Sequence, residues 1–414
     1  MKIFKFGGAS VRHATAIRQV GRIIKSFPLE KMLVVVSAMG KTTNALERVV
    51  SAVLTGKDAR QELYAIRDYH HAVIAELFQE GHPVYGKVNR QFESLAQNMT
   101  PSVPGDQLYD QVVATGEILS SLIVSEFLMA EGLPVDWIDA RNYILTDETF
   151  REGNVDWHGT EQKMTALLPL LREKILLTQG FIGRSRTGLT TTLGREGSDY
   201  SAAIFASCLG ASSVTIWKDV PGVMNADPKR LPDAVIFDEL PFREAAEMTY
   251  YGASVIHPKT IKPLANRNIP LLVKNFDDPS LPGTLIHETR VDHLPPLTVF
   301  KDNQCLISCR VTDYTFVNEQ QLGLIFHALS ELGIKINVMQ NSAISFSFCV
   351  DFREDKIMKL VDRLAQHFEV YYNTGLTLIT IKNYDGVTSE HYRKHPGVLL
   401  EQSSRSTLQI LIRN

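Results

Sequence analysis

The sequence predicts an α/β protein, a three-layer αβα sandwich with a mainly parallel sheet, followed by a smaller α+β region. Two observations carry this. Strand-like runs alternate with helical patterns through the first two-thirds of the chain, as parallel sheets require. After His287 to Pro296 the alternation stops and a different pattern begins.

Apolar, β-branched runs read as strands at 2–6, 31–37, 134–138, 175–179, 213–217 and 269–273. Apolar residues at helical spacing predict helices at 11–26, 42–54, 58–79, 106–130, 160–171, 198–208 and 242–250. This gives a first domain over 1–290. Residues 291–302, with Pro295-Pro296, read as a linker, and 303–414 as the second region. There, strands are expected at Cys305–Val311, Ser345–Val350, Leu376–Ile381 and Thr407–Ile412, with helices at Leu322–Leu332 and Asp355–Phe368.

The chain has 414 residues, 44% hydrophobic and 21% charged, with net charge −3. Such a balance suits a globular protein with a full core and gives no basic field for nucleic acid or membrane. No apolar run is expected to reach the roughly 20 residues of a membrane helix. The chain starts directly in a strand, so no signal peptide and a cytoplasmic location are expected. Four cysteines, Cys208, Cys305, Cys309 and Cys349, lack zinc spacing and read as buried free thiols of a reducing compartment.

The chemistry concentrates at glycine loops. Gly194-Arg195-Glu196-Gly197-Ser198-Asp199 opens directly into the apolar run Ala202–Ala206. A loop feeding a helix N-terminus presents unpaired N–H groups and a positive dipole end. Arg195 adds a planar fork for a carboxylate or phosphate. Asp199 would repel that anion unless it orients a lysine or a metal, a combination suited to phosphoryl transfer. The plainer reading is a capped helix with a solvated Arg–Asp pair. A second unit runs from Lys2–Phe6 through Gly7-Gly8 to Ser10. Its glycines admit a phosphate to the backbone, Lys5 supplies a point charge, and Ser10 supports the loop or caps the next helix. A third strand end lies at Leu33–Gly40. None has P-loop spacing.

With these residues in hand, the chain resembles the aspartate kinases, within the amino-acid-kinase fold. Lys5–Ser10 resembles the family's KFGGTS, and Thr191–Tyr200 its TTLGRGGSDY. Asp219–Val223 with Asp227-Pro228 is similar to DVPG…DP, and Tyr251–Pro258 to FGAKVLHP. The resemblance is strongest from residue 1 to about 290. It implies transfer of a phosphoryl group from ATP, with Mg²⁺, to the β-carboxylate of L-aspartate, the first step toward lysine, threonine and methionine. Lys5, Gly8 and Asp199 take the catalytic positions. Arg195 and Glu117 take those for the acceptor's α-carboxylate and ammonium, with Ser37, Thr43 and Ser198 as further contacts. A buried, unpaired Glu117 would be costly in a structural role, which also favours a ligand. The ATP positions are Gly7, Ser10, Lys218, Asp219, Met224, Lys229, Ser254 and Val255. No carboxylate cage for a metal is visible. The helical stretch 57–130 resembles the family's excursion over one edge of the substrate site.

The resemblance also implies two C-terminal ACT-like (ferredoxin-like) modules, the second abbreviated. Gly323 and Leu324 match the first module's loop-to-helix start, and Asn337 with Gln340-Asn341 lies near its second strand. An amino-acid effector, lysine ahead of threonine, and a homodimer or larger homo-oligomer follow as expectations. With the sequence ending at residue 414, no fused dehydrogenase is expected.

Three positions depart from the family. Ala9 replaces a threonine, and Glu196 replaces a glycine and adds an anion to an anion site unless it turns outward. Ser254 replaces a lysine used on ATP. Lys218, where the family has a threonine, is the first candidate to replace that charge, and Lys259 the second. Another amino-acid kinase, acting on glutamate or acetylglutamate, is the nearest alternative. An amino-acid sensor with a silent kinase domain is an alternative of a different class.

Overall fold

The computed structural model describes residues 1–414 apart from Leu29, Ser254, Asp292, Asp313, Tyr314 and Asn414. It divides into two compact units. The first is Met1–Val223, Ile236–Ala246 and Ser254–Val291, and the second is Met224–Val235, Glu247–Ala253 and Asp292–Asn414.

In the first unit the chain runs β1 (Lys2–Phe6), α1 (Ala14–Lys25), β2 (Met32–Val36), then the helices α2 (Thr42–Leu54), α3 (Arg60–Leu77), α4 (Pro83–Asn98) and α5 (Gly105–Ala130). There follow β3 (Val135–Trp137), β4 (Leu145–Thr146), α6 (Trp157–Met164), α7 (Leu167–Leu170), β5 (Ile175–Gln179), β6 (Ile182–Ser185) and β7 (Thr190–Thr192). Then come α8 (Gly197–Leu209), β8 (Ser213–Lys218), β9 (Glu239–Pro241), α9 (Phe242–Tyr251, of which Glu247 onward counts with the second unit), α10 (Pro258–Asn266), β10 (Leu271–Asn275) and β11 (Thr284–His287). The expected helix 160–171 is two short helices, because Thr165 and Ala166 interrupt it, and residues 269 and 270 precede their strand. Sequence reading passed over β4, β6, β7, β9 and β11, each of four residues or fewer and too short for a periodicity to register.

The main sheet has the order β3-β5-β2-β1-β8-β10-β11-β9. From β3 to β10 every pair is parallel, and only the β10–β11 pair is antiparallel. β2 is buried along its length and β1 from Ile3 on, as the continuous run Met32-Leu33-Val34-Val35-Val36 requires in a strand covered on both faces. One core joins Phe4, Phe6 and Trp217 of the sheet to apolar residues of α1 to α5. Phe6 and Trp217 stack at 6.1 Å with planes 6° apart, pinning β1 to β8. On the other side α8 lies against β1, β2 and β8, and α10 packs on α8. Three-strand order β4-β6-β7 makes a small separate sheet.

The expectation of no membrane-length apolar run needs correction. α5 has 26 residues and a window of mean hydropathy 1.6, long and apolar enough by composition. That window is 89% buried inside the protein itself, so the apolarity is that of a central core helix.

The second unit holds β12 (Leu297–Arg310), α11 (Glu319–Glu331), β13 (Ile336–Asn341), β14 (Ser345–Asp351), α12 (Glu354–Leu364), β15 (Glu369–Lys382), α13 (Gly386–Arg393), β16 (Val398–Ser403) and β17 (Thr407–Arg413). They form an antiparallel sheet of order β13-β14-β12-β15-β17-β16. The proposed linker 291–302 is corrected here. Its last six residues belong to β12, where Leu297 and Val299 are buried as the strand pairs with β15. Leu297, Val299 and Phe300 give the stretch after Pro296 a β-forming, apolar character, and that outweighs the two prolines before it. β12 and β15 run through both halves of the sheet, with a bulge at Lys301–Gln304 where Asn303 takes a φ of 54°. One half has its own core around Ile307, Phe348 and Leu360. The other is built on Ile379, Ile381, Leu408 and Ile410, and α13 and β16 complete a module for which only two strands were expected. Cys305, Cys309 and Cys349 are buried free thiols, while Cys208 is only partly covered. Lys382 on β15 is buried and paired with Glu247.

Candidate active site

β1, β2, β5 and β8 run parallel, so their carboxyl ends meet at one edge. The chain leaves β1 in one direction to β2, and β8 joins from the other side. Ligands of open α/β sheets bind at such a reversal. A Cβ on Gly8 would lie 2.6 Å from the Ala38 carbonyl and 3.0 Å from that of Gly40. The loops after β1 and β2 touch there, and the Gly40 N–H donates to Gly8 at 3.0 Å. Only glycine permits that approach. A Cβ on Gly7 would stand 3.5 Å from Lys5 Nζ, so the ammonium folds over the bare loop.

Lys5 Nζ is 2.7 Å from Asp199 Oδ1, and Lys218 Nζ is 3.4 Å from Asp199 Oδ2. Lys218 also donates to the Val255 carbonyl. Asp199 is buried in the first turn of α8. Burial pushes its carboxyl up, but the Lys5 and Lys218 charges outweigh that and hold it below the usual range. One carboxylate thus fixes two ammonium groups at the ends of neighbouring strands.

These residues line a cavity of about 540 Å³. Of the residues selected from sequence, Lys5, Gly8, Ser37, Thr43, Glu117, Arg195, Ser198, Asp199 and Lys218 all line it. Glu117 lies in α5, 3% exposed, and its Oε2 has no partner. Burial pushes its carboxyl up to about 8, against the Ala38 N–H and the Lys5 charge, which oppose the rise. A desolvated carboxyl facing a cavity is poised for a cation. Arg195 is exposed to the cavity, and no ion pair of its guanidinium is found among the described residues.

Other selected residues fall elsewhere. Ser10 is buried in the turn after Gly7 and does not cap α1, whose cap is His13, accepting from the Ala16 N–H at 3.0 Å. Ser10 and Asp219 line a separate cavity of about 240 Å³ with Arg12, Arg22 and Asp277. Val255 contributes its carbonyl to Lys218. Met224 and Lys229 belong to the second compact unit, and the Lys229 N–H donates to Asp227. Ser254 lies outside the described residues. Lys259 pairs with Glu152. Between the two candidates for the missing charge, Lys218 is the one that reaches Asp199.

Glu196 does not turn outward. It holds the N-cap position of α8 at φ 52°, makes no side-chain cap, lines the cavity and has a buried, unpartnered Oε2. Burial raises its carboxyl above the usual value, with Lys218 opposing. Among the described residues six non-glycines have positive φ, and three of them, Arg151 at 66°, Phe181 at 70° and Glu196, line this one cavity. Strained backbone gathers where a site is held in a fixed geometry. Sequence reading missed Arg151, Phe181 and Tyr109 at the cavity. Tyr109 had a signal, standing eight residues before Glu117 on the same helix. Arg151 and Phe181 had none, because their role depends on loop contacts.

The amino acid kinase family model matches residues 1–275. The lysine-sensitive aspartokinase 3 of Escherichia coli strain K12 is 33% identical over 357 residues, 84% of this chain and 78% of that protein. Aspartokinase 1, chloroplastic, of Arabidopsis thaliana is 31% identical over 89% of this chain and 67% of its own length. Among solved structures, E. coli aspartokinase III in complex with aspartate and ADP matches with a TM-score of 0.85 at 30% identity, covering 100% of this chain and 96% of that one. The same enzyme with lysine and aspartate, in its T-state, gives 0.83 at 28% identity, with the same coverage. Fold, glycine loops and relatives agree, and the chain belongs to the amino acid kinase family, among the aspartokinases.

Proposed function

We infer that this protein is an aspartate kinase, which transfers the γ-phosphoryl group of ATP to the β-carboxylate of L-aspartate. The observation that carries the reading is the Lys5–Asp199–Lys218 cluster sharing one cavity with Glu117 and Arg195. A β-carboxylate oxygen attacks the γ-phosphorus, the bond from that phosphorus to the β–γ bridging oxygen breaks, and ADP leaves with the electron pair. The acyl phosphate 4-phospho-L-aspartate forms, the first intermediate toward lysine, threonine and methionine. Charge neutralisation and positioning supply most of the catalysis in such a transfer.

Lys5 and Lys218 are suited to the phosphoryl oxygens, with Asp199 orienting both. Gly7 and Gly8 let the phosphates approach the backbone. Glu117 receives the acceptor's ammonium and Arg195 its α-carboxylate, while Ser37, Thr43 and Ser198 border the acceptor. Asp219 and Val255 stand on the nucleotide side. Among the described residues no three His, Cys, Asp or Glu side chains gather as metal ligands. Asp199 is already engaged by two lysines. Mg²⁺ therefore fits on the nucleotide, where it would neutralise phosphate charge.

Hydroxylamine trapping of the acyl phosphate, with L-aspartate, L-glutamate and acetylglutamate side by side, tests the reading. Aspartate-dependent hydroxamate with matching ADP release is expected. Hydroxamate from another acid alone would reassign the acceptor. Amino-acid binding without turnover by the folded protein would make it a sensor.

A further inference from the structure

Arg151 is a cation at this cavity that no sequence motif assigns. Its backbone is left-handed, at φ 66°. Three contacts hold the turn that carries it. The Arg151 N–H donates to both carboxylate oxygens of Asp110 at 3.0 Å. Asp110 is fully buried in α5 and accepts from the Thr192 N–H and hydroxyl, each at 2.8 Å. The neighbouring Gly153 N–H donates to the Thr192 carbonyl at 2.8 Å. Thr192 is two residues before Gly194, and a Cβ on Gly194 would stand 3.3 Å from the Arg151 carbonyl. The Arg151 turn and the Arg195 loop are therefore built against each other.

The side chain lies against α5, with α2 beyond it. The guanidinium lies 4.1 Å from the centre of the Tyr109 ring. The Tyr109 hydroxyl donates to Glu47 at 2.8 Å, one helical turn beyond Thr43 on α2. One nitrogen, Nε, meets Asp106 at 2.7 Å, and that carboxylate is 68% exposed. A ring and an exposed carboxylate orient the guanidinium without using up its donors.

We propose that Arg151 is a specificity-determining residue, a second guanidinium that joins Arg195 in binding the acceptor's α-carboxylate. The proposal deepens the aspartate kinase reading and rests on it. Two planar forks on one carboxylate select acceptors in which that group is free and ionised. Arg151 thereby makes the enzyme discriminate L-aspartate from its α-amide.

Arg151→Gly is the decisive variant, since glycine accepts this φ without strain and the fold should persist. Steady-state assays would compare L-aspartate with L-aspartic acid α-amide. The expected result is a loss in kcat/KM for L-aspartate of about ten- to hundredfold, the scale of one charge-assisted hydrogen bond. The ATP KM should stay within about twofold and the α-amide should be unaffected, which is the scale of no lost contact. Arg151→Lys should fall between. If wild-type turns over L-aspartate and Arg151→Gly keeps its KM, or loses both acceptors in parallel, the proposal is overturned and the kinase reading stands. If wild-type makes no acyl phosphate from either acceptor, both fall.

Discussion

At the scale of single residues, the site joins groups that would not tolerate one another apart. Asp199 is a buried carboxylate kept ionised by two lysines. Glu117 is a buried carboxyl with an unpartnered oxygen, and its pKa is raised to about 8 by burial. In the role proposed for it, binding the ammonium of aspartate demands its ionised form. The aspartate kcat/KM of the free enzyme should therefore rise with pH up to about 8, and Glu117→Gln should abolish that limb. The stability effect has the opposite sense. The folded state holds a proton that the unfolded chain releases above the ordinary glutamate value of 4.5, so stability falls as pH rises from 4.5 toward 8, and Glu117→Gln should flatten that slope in urea melts.

Lys218 raises a related point, since it stands where the family has threonine while Ser254 stands where the family has lysine. Its ammonium reaches Asp199 from the end of β8. Lys218→Ala should lower kcat or raise the ATP KM by about tenfold or more, the scale of one lost phosphate contact. Unchanged values of both would remove Lys218 from the phosphoryl site.

At the scale of elements, the short strand β7 is the part whose purpose was least visible. It carries Thr192 into the Gly194–Arg195 loop, and Asp110 of α5 grips it through two hydrogen bonds while gripping the Arg151 turn through two more. Burial raises the Asp110 carboxyl against those bonds. Removing a buried acceptor leaves its donors unsatisfied, which costs about 1–3 kcal/mol. Asp110→Ala should therefore lower the midpoint of a thermal melt and raise the aspartate KM while the ATP KM changes little. An ATP KM raised as much as that for aspartate would show that Asp110 supports the whole site rather than its acceptor half.

At the scale of the whole molecule, the second unit has two modules on shared strands, and the family resemblance implies an amino-acid effector there. Asn337 is already engaged, donating to Gln304 at 2.7 Å and Asp351 at 2.9 Å and accepting from Lys301 at 2.8 Å. Leu324 of α11 and Met339 of β13 remain exposed, at 43% and 47%. With E. coli aspartokinase III known in a complex with lysine, lysine is the effector to try first. Titration of the kinase assay should give inhibition by lysine at concentrations where threonine has little effect. Inhibition by threonine alone would reverse the assignment.

The sequence by itself determined the parallel sheet, the central helix α5 and nine of the residues that line the active cavity. Each was legible because its signal is local: a continuous apolar strand, a helical period, a glycine pair at a strand end. Glu117 is among them, a carboxylate legible as unusual because it stands inside an apolar helix. Tertiary structure alone decided that Lys218 and not Lys259 meets Asp199, that Glu196 faces inward, and that residues 297–302 are strand rather than linker. It alone brought Arg151 to the cavity that Arg195 lines. Those outcomes depend on contacts between residues far apart in the chain, such as Asp110 with Thr192, and no local pattern encodes which distant donor a buried carboxylate will find.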